Sequence, residues 1–148
     1  MRNLVIPALV LLSFGANASA QTMPADPVKH VDGYWYGEDR KVEISVKDGV
    51  ATVEVNTSED KYVRSLNMAP GTEIARLAGF TQDGKRLARL HGQCWSGGYK
   101  PGLINCGDFN AILDLSMENG KQYDRLKINT LQFRRKAQMP EHYWENRK

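Results

Sequence analysis

Three dipeptides, Asp48-Gly49, Asp83-Gly84 and Asn119-Gly120, constrain this chain more than any other feature. Such pairs adopt the positive φ angles of a two-residue type I′ turn, and alternating apolar and polar residues beside them mark a β-hairpin. Before Asp48, Val42, Ile44 and Val46 alternate with Lys41, Glu43, Ser45 and Lys47; after Gly49, Ala51, Val53 and Val55 alternate with Thr52, Glu54 and Asn56. A two-residue loop pairs Lys47 with Val50, Val46 with Ala51, Ile44 with Val53 and Val42 with Val55, so every apolar residue falls on one face. At Asn119-Gly120 the same rule pairs Glu118 with Lys121, Leu113 with Leu126 and Ala111 with Ile128, with Phe109, Leu115 and Met117 on that face and Asp114 opposite Arg125 on the other.

The middle hairpin is less regular. Pairing across Asp83-Gly84 sets Phe80 against Leu87, but Arg76, Arg89 and His91 share that side while Ala75, Leu77, Ala88 and Leu90 take the other. A bulge at Gly79 accounts for the change of phase; the alternative is a partly polar inner face of the kind that lines a ligand cavity. Residues 61–66 read as a short strand and Pro70-Gly71 as a turn. After Ile128 the phase changes again, which marks a bend at Asn129-Thr130 within one long strand, or two strands. No long amphipathic helix and no internal repeat interrupts this pattern. About eight short strands predict an all-β domain, an antiparallel up-and-down barrel with a β-sandwich as the alternative.

The barrel is expected over residues 33–136. Residues 1–20 carry Arg2, an apolar run over 4–12 and an Ala18-Ser19-Ala20 cleavage pattern, the signature of a secretory signal peptide and too short for a membrane span. Residues 21–32 hold two prolines and no periodicity and are expected to be a flexible N-terminal arm; residues 137–148 are expected to be a loose tail or a single helical turn. Export to the periplasm or beyond places Cys94 and Cys106, the only two cysteines, in an oxidising compartment, where they are expected to form a disulfide. They bracket Trp95, Ser96, Tyr99 and Lys100 among Gly97, Gly98, Pro101 and Gly102. A glycine-rich loop pinned at its base and carrying two aromatics suits binding of a protein partner, because little entropy is lost on docking. The plain alternative is a structural staple with ordinary turn residues.

Charge is nearly balanced, with 20 Lys and Arg against 17 Asp and Glu, which disfavours a nucleic-acid partner. There is no G-x-S-x-G and no H-E-x-x-H. His30, His91 and His142 show no metal-ligand spacing, so no metal or other cofactor is expected. Asp108 and Asp114, placed on one strand, would stand roughly 20 Å apart by the strand rise, too far for a glycosidase pair. The chain is therefore expected not to be an enzyme.

Gly33-Tyr34-Trp35 at the first strand, with Arg134 or Arg135 near the end of the last, resembles the calycin pattern of lipocalins and their small bacterial relatives. The resemblance covers the two ends of the chain. It implies an eight-stranded barrel in which Trp35 closes the base, the basic side chain packs across the indole, and a small apolar ligand occupies the interior. Separately, Ser96-Gly97-Gly98-Tyr99 is similar to the S-G-x-x-Y loop of bacterial periplasmic lysozyme inhibitors, one residue shorter. That likeness implies that Ser96, Tyr99 and Lys100 contact the catalytic cleft of a lysozyme. The combined expectation is an exported, non-catalytic binding protein, holding an apolar ligand in the barrel or a protein at the loop, with inhibition of lysozyme or a similar hydrolase as the alternative.

Overall fold

The computed structural model describes residues 22–38 and 41–139. Nine strands make one antiparallel sheet: β1 (Gly33–Gly37), β2 (Val42–Lys47), β3 (Val50–Asn56), β4 (Glu73–Asp83), β5 (Leu87–Ser96), β6 (Gly102–Asn105), β7 (Ala111–Glu118), β8 (Lys121–Ile128) and β9 (Leu131–Arg135). Their order is β4-β3-β2-β1-β9-β8-β7-β5, and β5 bonds back to β4, so eight strands close into a barrel rather than a sandwich. β6 lies outside that ring, on the stretch of β5 beyond its pairing with β7. Closure leaves the ring no open edges, and alternation sends one residue in two to the interior. Trp35, Ile44, Ile74, Leu90, Leu113 and Phe133 are among the side chains that are 0% exposed there.

Both type I′ hairpins close on positive φ at Asp48 and Gly49 and at Asn119 and Gly120. β7 and β8 pair throughout in the expected register, Ala111 with Ile128 through Glu118 with Lys121. Met117 is only half-buried, and Phe109 stands before the strand and is exposed. Asp114 does face Arg125, but the Arg125 guanidinium reaches Glu118 and Glu38 instead. β2 and β3 match from Lys47–Val50 to Ile44–Val53 and then shift: Glu43 meets Val55 and Val42 meets Asn56. The extra residue is Glu54, and Val55 is turned partly to solvent.

The middle hairpin does contain a register shift, between Leu77 and Gly79, which carries Ala75 and Leu77 inward and Arg76 outward. Its loop is one residue longer than expected, pairing Asp83 with Leu87 and Phe80 with Leu90. The charged outer face satisfies itself: Arg89 pairs with Asp83, and His91 bonds the Thr81 hydroxyl at 2.6 Å. β8 and β9 are two strands joined at Asn129-Thr130, Asn129 having φ 54°.

Two expectations are corrected. Residues 61–66 form no strand; Lys61–Ser65 is a short helix, α2, capped by the Asp60 carboxylate on the Val63 amide. Residues 21–32, expected to be a flexible arm, are packed from Met23 onward. Pro27 opens a helical turn, α1 (Pro27–His30), capped by Asp26, and Met23, Pro27 and Val31 are buried. Proline at the first helical position needs no amide partner, so here it begins structure rather than preventing it. A 3-10 turn follows β9 at Lys136–Gln138; the expected signal peptide and residues 140–148, with His142, lie outside the described residues.

Candidate functional site

The two barrel ends are built differently. At the base, α1 lies beside the Asp48-Gly49 turn and the β4–β5 tip: the Gly49 amide donates to Asp32 and the Met23 amide to the Lys85 carbonyl. Trp35 donates its indole N–H to the Val31 carbonyl at 2.8 Å. Arg135, directly paired with Trp35 across β1 and β9, lays its guanidinium 4.3 Å from the ring centroid. It also bonds the carbonyls of His30 and Asp32 and the carboxylate of Asp124. Asp124 is 1% exposed and accepts from His30 Nε2 at 2.9 Å as well. Burial pushes the Asp124 carboxyl up; the hydrogen bond from His30 and the charge of Arg135 outweigh it and hold the group below its ordinary value.

Arg134 turns away from this base. It bonds Glu38 and both oxygens of Glu118, and the hydrogen bond from Arg134 keeps the Glu118 carboxyl below the usual carboxylate range. Of the two arginines, Arg135 is therefore the one over Trp35, and Arg134 belongs to an ion-pair cluster with Arg125 and Tyr123.

The opposite end carries the cysteines. Cys94 and Cys106 are joined in a disulfide, the pairing an oxidising compartment favours. β5 and β6 form a hairpin from Gln93–Asn105 to Ser96–Gly102, with residues 97–101 as its tip. Several contacts fix the base of that tip to α2 and the β8–β9 turn. Trp95 donates its indole N–H to the Leu66 carbonyl at 2.8 Å, and its own carbonyl accepts from the Asn129 side chain. Gly97 packs so closely that an added Cβ would lie 2.7 Å from Leu66 Cα.

The four contact residues expected from the sequence therefore divide. Trp95 is half-buried and packed against the core, part of the loop's foundation. Ser96 is half-buried with its hydroxyl 3.4 Å from the Gly97 carbonyl. Tyr99 is 100% exposed, and Lys100 is exposed with no ion-pair partner among the described residues. Two more exposed apolar residues, Ile104 (57%), which the sequence did not single out, and Phe109 (65%), which it placed on the inward face, fall on the same excursion between β5 and β7. Ile104 lies on the four-residue β6, which pairs with β5 alone among the described strands, and Phe109 in the turn that leads to β7.

Several interior side chains are fully buried. A ligand-sized void would leave its walls open to a water molecule, whereas Trp35, Leu90, Leu113 and Phe133 have no accessible surface. A cleft of about 510 Å³ lies outside the barrel, between the end of β3 and α2, lined by Asn56, Ser58, Arg64, Asn67, Met68 and Pro70 among others. Among the described residues no three His, Cys, Asp or Glu side chains come together as metal ligands, and no helix is long and apolar enough to cross a membrane. No family model matches the chain, and neither a curated protein nor a solved structure does.

Proposed function

We propose that this chain is an exported, non-catalytic binding protein that docks a protein partner at the disulfide-pinned end of the barrel. One observation carries the reading: Tyr99, fully exposed, stands on a tip whose base is tied by the Cys94–Cys106 bond, the Trp95–Leu66 bond and the Gly97–Leu66 contact. A large aromatic on a loop tied at its base costs less backbone entropy on docking and offers a wide contact area. The closed walls of the barrel support this reading over a small apolar ligand inside.

The experiment is site-specific photo-cross-linking in the producing cell, with the photoreactive residue replacing Tyr99 and, as a control, replacing Phe80 on β4. A discrete protein adduct from position 99 that is absent from position 80, and is reduced by Lys100→Ala, is the expected result. Equal labelling from both positions would remove the reading.

A finer reading, inhibition of lysozyme or of another hydrolase with paired carboxylates, is supported by the unpaired ammonium of Lys100 beside Tyr99. A cation entering an acidic cleft gains Coulomb energy there. Lysozyme turnover with increasing amounts of the mature protein tests it: inhibition lost in Lys100→Ala supports it, and unchanged turnover excludes it.

A further inference from the structure

The cleft between the end of β3 and α2 belongs neither to the barrel interior nor to the tip, and its walls are fixed from within. On one side Asn56 donates its side-chain amide to the Met68 carbonyl at 2.8 Å and accepts from the Ser58 amide at 3.2 Å. The Ser58 hydroxyl oxygen accepts from the Asp60 amide, and the Asp60 carboxylate caps α2 on Val63. On the other side the Asn67 backbone amide closes on the Arg64 carbonyl, and the Thr72 amide on that of Ala69. Val63 and Met68 are buried, which seats α2 and the segment after it on the core.

This frame occupies acceptors and leaves donors. The Asn56 side-chain oxygen, the Ser58 oxygen and the carbonyls of Arg64, Met68 and Ala69 each already accept a hydrogen bond. The Arg64 guanidinium makes no hydrogen bond or ion pair among the described residues, the Asn67 side chain makes none, and the Ser58 hydroxyl donates to none of them. A carboxylate one helical turn away is the usual partner of a surface arginine. Asp60 holds that place before Arg64, but its carboxylate is turned to the cap. No Asp or Glu is among the described residues that line the cleft, so Arg64 gives it a positive charge.

We infer that this cleft binds a small carboxylate with an apolar body, anchored by Arg64. A planar guanidinium meets a carboxylate through two parallel hydrogen bonds. The Asn67 amide and the Ser58 hydroxyl line the same cleft and supply donors for the lone pairs that remain. A single cation matches the single charge of a carboxylate, whereas a phosphate monoester carries nearly two. Ala69 and Pro70 offer an apolar wall to the rest of the ligand, and the volume of about 510 Å³ falls within the roughly 300–1,000 Å³ of small-molecule sites. The cleft is open to solvent and has one charged anchor, so the ligand exchanges freely and is not carried through purification. None of its lining residues lies between the two cysteines, which makes the site independent of the docking tip.

Proton–nitrogen NMR of the mature protein tests the site, with sodium benzoate, sodium acetate and sodium phosphate titrated at constant ionic strength. Benzoate is expected to shift the Arg64 Nε–H and Asn67 side-chain amide signals saturably, and to bind more tightly than either acetate or phosphate. Arg64→Gln is expected to weaken benzoate about tenfold or more, as loss of a hydrogen-bonded charge does, with the melting temperature unchanged because Arg64 is exposed. Arg64→Lys, which keeps the charge without the planar fork, should fall between. Lys61→Gln, on the same helix but outside the lining, should bind as wild type does. Shifts no larger than those from sodium chloride, phosphate binding at least as tight as benzoate, or benzoate binding unchanged in Arg64→Gln would overturn the inference.

Discussion

The Arg135 guanidinium lies 4.3 Å from the centroid of the Trp35 indole, and the same group holds the carbonyls of His30 and Asp32. One side chain from the last strand thus ties together the first strand, the segment before it and the buried Asp124 carboxylate. Arg135→Ala would leave that carboxylate with its hydrogen bonds from His30 and Gln122 and without the guanidinium charge. Breaking a buried pair in this way costs about 3–5 kcal/mol. Chemical denaturation of wild type and variant measures the loss, and Arg135→Lys, which keeps the charge without the planar fork, should fall between them.

Stability at acid pH follows from Asp124. Its folded value lies below the ordinary one, because the His30 hydrogen bond and Arg135 outweigh burial. The contribution is therefore complete above the unfolded value of about 3.9 and is lost as pH falls through the lowered folded value. Asp124→Asn removes it at every pH. The gap in melting temperature between wild type and Asp124→Asn should be full near neutrality and narrow in strong acid. A gap that widens on acidification would contradict this assignment.

Removing the disulfide acts mainly on the unfolded chain. For cysteines 12 residues apart, the loss of chain entropy predicts that the Cys94→Ser, Cys106→Ser double variant is less stable by about 3 kcal/mol. Partner binding should fall as well, because the tip loses one of the ties at its base. Denaturation and binding measured on the same preparation separate the two effects.

The tip itself should separate fold from function. Gly97→Ala drives a methyl against the Leu66 backbone and side chain and should cost about 1–3 kcal/mol as overpacking does. Tyr99→Ala, two residues on and fully exposed, should change stability by less than about 0.5 kcal/mol while costing about 1–3 kcal/mol of partner binding. Thermal melts and titration calorimetry with the cross-linked partner check both.

The hairpins were legible where turn and alternation agreed. Asn119-Gly120 set the register of eight consecutive pairs because nothing between β7 and β8 interrupts them. The shift beside Gly79 was legible from the change of phase and the glycine, whereas the Glu54 irregularity leaves no such mark, since a bulge answers to the curvature of the closed barrel. Tyr62 and Val63 have strand-forming side chains, and five residues are too few to distinguish a helix by period; the Asp60 cap was the available signal. At the site, the pinned loop and exposed Tyr99 could be anticipated. The anchoring of Trp95 could not, because its partner, Leu66, is 29 residues away and is brought there by the barrel.

Native mass spectrometry of the mature protein, purified without denaturation, tests most directly whether binding occurs at the loop end rather than inside the barrel. The expected spectrum contains the oxidised chain, alone or in protein–protein complexes that Tyr99→Ala diminishes, with no small molecule attached. A discrete small-molecule mass that leaves only on denaturation, and is unaffected by that substitution, would contradict the account and place the ligand within the barrel.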